Sequence, residues 1–297
     1  MRSTLIPKQQ SRLLQCLSLL VLMLANLFGL TQSLQAQDDQ ATALKKSLVF
    51  HASFDGVADA KVQHGDGKVY TTESLARKEW TPGIQRKDVS IAKGAGVFGD
   101  CLRFADKSPQ VVAYRGNVLP KFEGAWAGTV SFWMKLDADK DLKPGYCDPI
   151  QITEKAWNDA AFFVDFDKDL PRDFRLGVFS DLKYWNPENI PWEKLPIEKR
   201  PMVTVKKPGF TQAAWKHIAF TFEGINAPNN GPAKTSLFLD GKLQGSLNGP
   251  MQFHWDIEKT AIMLGIEYIG DMDELMIFDR ALDADALQSV MKGKVTR

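Results

Sequence analysis

From Leu48 onward apolar residues recur with a period of two in short runs, and Gly, Pro, Asp and Asn fill the spaces between them. A period of two sends alternate side chains to opposite faces of an extended chain, so each run predicts a strand with one face toward a core. In Thr129–Leu136 the residues Val130, Phe132, Met134 and Leu136 share one face, and Thr129, Ser131, Trp133 and Lys135 share the other. Trp215–Glu223 likewise gathers Ile218, Phe220 and Phe222. Leu237–Leu243 reads as a hairpin, because Asp240-Gly241 tolerates the positive φ angles of a two-residue turn. The same pattern predicts strands over Leu48–Phe54, Asp100–Phe104, Val111–Arg115, Ile150–Thr153, Ala161–Phe166, Phe174–Phe179, Ala261–Ile266 and Met272–Asp279. The period changes once, where Asp283 can cap a short helix from Ala284 to Met291 that Gly293 ends. This is the pattern of an all-β fold, two antiparallel sheets in a sandwich with a short C-terminal helix, and it shows neither an internal repeat nor a second-domain break.

The start of the chain follows different rules. A basic beginning, an apolar run from Leu13 to Leu30, and Ala36 followed by Gln37-Asp38-Asp39 predict a secretory signal peptide cleaved after Ala36. Residues 37–47 then form a linker to one domain over 48–297. The run of 18 residues also fits an uncleaved anchor, but Gln15, Ser18 and Asn26 interrupt it and favour cleavage. The expectation is an exported protein (periplasmic, cell-surface or secreted) with no membrane insertion after cleavage. Setting aside Arg2, Lys8 and Arg12, the charges of residues 1–36, takes the 37 basic groups to 34 against 36 acidic ones, a net of −2. That balance argues against nucleic-acid binding through bulk positive charge. Cys101 and Cys147 enter a compartment where a disulfide persists, and they either bridge or stay as two buried thiols.

Five segments, taken in order, resemble the laminin-G-like jelly-roll family of the concanavalin A-like lectin/glucanase superfamily. They are Ser53-Phe54-Asp55-Gly56; Gly96 to Phe104; Gly128 to Met134; Trp215 to Ala219 followed by Leu237 to Gly241; and Gly270-Asp271-Met272-Asp273-Glu274 continuing to Leu282. Together they span about Leu48 to Val290. The resemblance implies a jelly roll and carbohydrate recognition. Related jelly rolls hold a calcium near the junction of first and last strands, which makes Asp55 and Asp273 a candidate pair for a structural calcium, with backbone carbonyls completing the shell. The competing role for Asp273 is hydrogen bonding to backbone, since the alternation places it with Leu275 and Ile277 on a partly buried face. Three features depart from the family pattern: Met276 where a basic residue is common, Ala286 where Glu is common, and a Pro-rich insertion after Asp181.

The catalytic motifs thin out on inspection. Gly94-Ala95-Gly96-Val97-Phe98-Gly99 satisfies G-x-G-x-x-G, but it precedes a strand and opens no helix, so it offers a dinucleotide no N-terminus. Asp137–Asp141 and Asp165–Asp169 imitate an EF-hand start, yet Leu142 and Leu170 take the glycine position, and solvated strand-end turns explain them better. Glucanases of the superfamily carry Glu-x-Asp-x-x-Glu on a strand; here Asp271 replaces the first Glu and Met276 the last, so hydrolysis by this strand is not expected. His51, His64, His217 and His254 show no metal-ligand spacing.

The insertion from Lys183 to Gly209 holds five prolines, with Tyr184, Trp185 and Trp192 near its start, and six basic groups against three Glu, a local +3. Proline lowers the entropy lost in displaying rings, indoles stack on the C–H faces of sugars, and Asn186 can bind hydroxyls. Tyr184, Trp185, Asn186 and Trp192 are therefore the candidate carbohydrate-binding residues, the charge pointing to an acidic polysaccharide. The alternative is that the rings form a satellite core under the loop. The functional expectation is an exported, non-catalytic binding module for polysaccharide or glycan. A polysaccharide-degrading hydrolase or lyase and a protein–protein adhesion module are the alternatives.

Overall fold

The structure, a computed structural model, describes residues 41–119 and 124–295. The expected leader and its cleavage site lie outside the described residues. The chain divides into residues 1–45 and 46–297. Of the first unit only 41–45 are described, and they are helical. The second unit holds both sheets.

Among the described residues the strands are β1 (Leu48–Ala52), β2 (Lys61–Val62), β3 (Tyr70–Thr72), β4 (Trp80–Pro82), β5 (Val89–Ala92), β6 (Cys101–Phe104), β7 (Val111–Arg115), β8 (Trp126–Lys135) and β9 (Cys147–Thr153). They continue as β10 (Ala161–Phe166), β11 (Phe174–Phe179), β12 (Met202–Val205), β13 (Lys216–Ile225), β14 (Ala233–Leu239), β15 (Lys242–Gly249), β16 (Ala261–Ile266) and β17 (Gly270–Phe278). One sheet runs β15-β14-β13-β8-β17-β1-β2, with β6 also on β17 and β5 on β6. The other runs β12-β11-β10-β9-β16-β7-β3-β4. The pairings are antiparallel, as in β8 with β13 and β10 with β11. The sandwich expected from the alternation is the one observed, and a helix over Ala284–Met291 closes it, its amide at Ala286 bonded to Asp283 as cap.

The period-two faces explain the core. Ile150, Ile152, Phe162, Val164, Leu176 and Val178 of the second sheet meet Val130, Phe132, Met134, Ile218, Phe220 and Phe222 of the first. Phe162 stacks on Phe253 at 4.4 Å between ring centroids, and Phe50 meets Tyr114 edge-on at 4.9 Å. The hairpin turn has the positive φ at both Asp240 (50°) and Gly241 (72°) that its sequence predicts.

One expectation needs correction, and one open alternative is decided. Glu274 adopts φ +50°, and the β17–β8 register shifts between Asp273 and Met276. This bulge reverses the alternation, so Leu275 and Ile277 join Met272 in the core while Asp273 lies outside that core cluster. The cysteines do not bridge: Cys101 on β6 and Cys147 on β9 are both buried and free. Burial pushes their thiols up to about 12 and about 11, so neither is a ready nucleophile.

Candidate functional site

The outward face of the second sheet carries the polar groups that its apolar strands would not otherwise tolerate. Strand pairing sets a row across it, Ala113 opposite Met263, Met263 opposite Gln151, Gln151 opposite Phe163, Phe163 opposite Gly177, and Gly177 opposite Met202. Gly177 is small for a reason visible here: a Cβ on it would overlap the Phe163 ring, which lies across the sheet. One step along, Asp165 faces Arg175. Both are buried, and Arg175 Nε donates to Asp165 Oδ1 at 2.8 Å while Nη2 donates to Oδ2. The third guanidinium nitrogen, Nη1, lies 3.1 Å from Asp167 Oδ2.

Loops raise walls around this floor and leave a groove of about 350 Å³ lined by Tyr146, Asp148, Gln151, Trp157, Trp192 and their neighbours. Each wall is held by backbone bonding. Arg172, itself buried, donates to the carbonyls of Lys143, Gly145 and Asp167, fixing the turn before Tyr146. The Tyr146 ring covers the Arg175 guanidinium at 5.0 Å. Thr153 Oγ1 donates to the carbonyls of Ala156 and Asp159 and accepts from the Lys155 amide, folding the loop that projects Trp157. Arg200 lies over the Trp192 ring at 4.2 Å and donates to the Trp192 and Leu195 carbonyls. Trp157 and Trp192 then meet edge to face at 5.2 Å, with Trp157 40% and Tyr146 42% exposed.

The charge in the groove is uneven. Asp148, Asp165 and Glu193 line it against one cation, Arg175. Burial, and then the charge of Asp165, pushes the Asp148 carboxyl well above the usual carboxylate range. Burial also raises Asp165, with Arg175 opposing it. Among the described residues, no side-chain hydrogen bond engages Asp148 or Gln151, so both face the groove with bonding capacity to spare.

The insertion's four candidates do not form one site. Trp192 lines the groove and also packs against the satellite cluster of Ala161, Phe163 and Phe179, 6.0 Å from the Phe179 ring. Trp185 packs edge-on against Phe179 at 4.9 Å, donates its indole N–H to Asn158 O at 2.8 Å, and joins the satellite cluster of Ala161, Phe163 and Phe179. Asn186 is buried, its amide spent on both the N–H and the carbonyl of Ile190. Tyr184 is half exposed beside a different cavity, stacked at 6.0 Å on His254, whose Nδ1 meets the buried Asp181 at 2.5 Å. The display of rings for a ligand and the satellite core are thus both present within one loop, and Trp192 takes part in both.

The calcium pair resolves differently. Asp273 is fully buried, and its Oδ2 accepts from the amides of Val97 (2.7 Å) and Phe98 (3.1 Å) while Oδ1 accepts from Glu274 N. Asp55 Oδ1 accepts from Asp100 N, and Asp100 Oδ2 accepts from Gly56 N in return. Both carboxylates therefore clamp the Gly94–Asp100 loop, and Asp273 takes the backbone-bonding role that competed with calcium for it. Asp271 is likewise engaged, by Arg103 at 2.7 and 2.8 Å. Asp165, expected in a solvated turn, is buried in the groove floor.

Sequence reasoning missed Asp148, Gln151, Trp157, Asp165, Arg175 and Tyr146. A usable signal existed for one pair: Ala161–Phe166 and Phe174–Phe179 each hold one charge of opposite sign in an apolar run, and buried charges require partners.

A sandwich of two antiparallel sheets with an open, aromatic-walled groove on one outer face defines a lectin-like β-sandwich. Residues 113–288, more than half the chain, match the family model described as Concanavalin A-like lectin/glucanases superfamily, and the protein belongs to that superfamily. No curated protein sequence matches it. Among solved structures it is similar to the receptor binding domain of botulinum neurotoxin D (13% identity, TM-score 0.52, covering 86% of this chain and 54% of that one). It is also similar to the binding domain of botulinum neurotoxin DC in complex with SialylT (10% identity, TM-score 0.51, 84% and 52%). A third likeness is domain 4 of AbnA, a GH43 extracellular arabinanase from Geobacillus stearothermophilus, in complex with arabinotriose (15% identity, TM-score 0.49, 82% and 98%). The chain thus spans about half the length of the neurotoxin domains it resembles.

Proposed function

We propose that the protein is an exported, non-catalytic carbohydrate-binding module whose ligand lies in the groove of the second sheet. The observation that carries this reading is the combination of Trp157, Trp192 and Tyr146 rings with the unsatisfied Asp148 and Gln151 around one 350 Å³ groove. Sugars present apolar C–H faces and a rim of hydroxyls, and a site needs ring faces for the first and unpaired polar groups for the second. The fold is compatible: the neurotoxin DC binding domain shares it and was solved with SialylT. Export rests on the leader expected over residues 1–36. Among the described residues no helix is long and apolar enough to cross a membrane.

The test is a panel of soluble oligosaccharides titrated against intrinsic tryptophan fluorescence, with a reducing-end assay for cleavage. Saturable quenching that Trp157→Ala or Trp192→Ala removes, without cleavage, supports the reading. Binding unaffected by either substitution moves the site elsewhere, and turnover makes the protein an enzyme.

A further inference from the structure

Resting on the groove reading, the charge arrangement says which glycans belong there: we infer that the groove selects glycans bearing free amino groups, with Asp148 as the residue that recognises the ammonium. The groove's own cation is already spent. Arg175, the guanidinium in the groove lining, gives two bonds to Asp165 and approaches Asp167 at 3.1 Å. It therefore has no charge left to offer an acidic sugar. Asp148 is the reverse case, partly buried in the same floor beside Asp165, with no side-chain hydrogen bond from a described residue.

An unpaired carboxyl inside an apolar-walled groove resists ionisation until a cation reaches it, and an ammonium placed beside it favours the charged form. An amino sugar supplies that cation at the moment its ring stacks on the wall. The Trp157 ring reinforces the choice, because an aromatic face attracts positive charge, whereas Trp192 and Tyr146 already hold Arg200 and Arg175 against theirs. Glu193 adds a second carboxylate to the lining. Of the neighbouring cations, Arg200 is bonded to the carbonyls of Trp192 and Leu195, Lys107 pairs with Glu267 at 3.0 Å, and Lys168 lies 5.9 Å from the Tyr146 ring. The acidic ligand expected from the insertion's +3 charge would have to bring its negative charge against the Asp165 and Glu193 carboxylates of the lining. That arrangement is repulsive.

The experiment compares a fully deacetylated glucosamine oligomer with its N-acetylated counterpart and a neutral glucose oligomer, at about pH 6 where most of the amines are charged. The expected result is that the amine oligomer binds about ten-fold more tightly than the N-acetylated one, the scale of one charge-assisted hydrogen bond. Asp148→Asn should reduce that preference to about two-fold or less, read as the ratio of amine-oligomer to neutral-oligomer affinity in the same folded protein. Glu193→Gln serves as the second variant and should lower the preference more weakly. Equal or tighter binding of the N-acetylated oligomer, or a preference that survives Asp148→Asn in folded protein, overturns the inference. A lysine-rich peptide that binds as tightly as the amine oligomer overturns it too, because the site would then read charge alone. Neutral oligomers bound alone, and lost in Trp192→Ala, overturn this inference and leave the groove reading standing. Absence of binding by any oligomer overturns both.

Discussion

Asp165 and Arg175 sit directly opposite each other on β10 and β11, joined through both carboxylate oxygens on the outward face of an otherwise apolar sheet. Each is less than a tenth exposed, so neither can be left alone without stranding the other in a poorly hydrated floor. Arg175→Met is expected to destabilise the protein by about 3–5 kcal/mol, the usual result of breaking a buried pair from one side. Joining it to Asp165→Leu should recover most of that loss, because the double change removes both charges. Urea unfolding of the two single variants and the double variant measures the coupling.

The two insertion tryptophans share the satellite cluster, and only Trp192 also lines the groove, so their losses should differ in binding. Trp185→Ala empties part of the satellite core and frees the Asn158 carbonyl, so it should lower stability by about 2–4 kcal/mol with little effect on groove affinity. Trp192→Ala removes a groove wall and should weaken glycan binding several-fold, about 1–3 kcal/mol if sugars stack as bases do. Thermal melting and fluorescence titration on the same two proteins decide it. Equal affinity losses would mean that Trp185 is reached by ligand after all.

The sandwich was legible because its strands repeat with period two and its turns use Asp-Gly and glycine where positive φ is required. Val130, Phe132 and Met134 reveal their face without any knowledge of their partners. The groove was not legible for a complementary reason. Gln151, Asp165 and Arg175 are brought together by register between strands, and register depends on which strands are neighbours. The bulge at Glu274 defeated the alternation for Asp273, since a single residue at positive φ moves every later side chain to the other face. Trp185 and Trp192, seven positions apart, look equivalent in composition and both pack beside Phe179, and only the folded loop shows that Trp192 alone also reaches the groove.

The loop clamp makes a prediction about metal and backbone together. A Cβ at Gly96 would overlap the Asp100 carbonyl oxygen and stand 2.7 Å from Asp273 Oδ2, so Gly96→Ala must push the loop off its acceptor. A loss of about 2–3 kcal/mol is expected, the scale of unsatisfied buried donors. Gly94→Ala meets no atom and carries only the strain of φ +62°, about 1 kcal/mol. Because backbone amides already bond Asp273, adding calcium or a chelator should leave the melting temperature of the wild-type protein unchanged. A rise with calcium that Asp273→Asn abolishes would return a cation to this junction.

Acid should expose a buried histidine. His217 is wholly buried, its Nε2 2.8 Å from Ser131 Oγ and its Nδ1 without a partner, and burial pushes its pKa down to about 4. The unfolded chain takes up the proton near the ordinary value of about 6.5, so between about 6.5 and 4 the unfolded state binds more protons than the native one. Stability from this residue is therefore complete above about 6.5 and falls as pH drops through the window, by about 2–3 kcal/mol in all. Asp273 works against it: burial raises its carboxyl to about 7 against the opposing bonds from Phe98 and Val97, so its native form holds a proton that the unfolded chain releases near 4, and its contribution declines as pH rises. The two slopes oppose each other in the wild-type protein, and its overall pH profile can look flat. His217→Phe removes one slope while keeping an aromatic ring against Trp133, which now meets the imidazole at 5.0 Å. Subtracting the variant's unfolding free energy from that of the wild type, at several pH values from about 4 to about 7, should give a difference that climbs with pH and levels off above about 6.5. A difference that stays constant across the range would show that His217 titrates alike in both states and is reached by water in the folded protein.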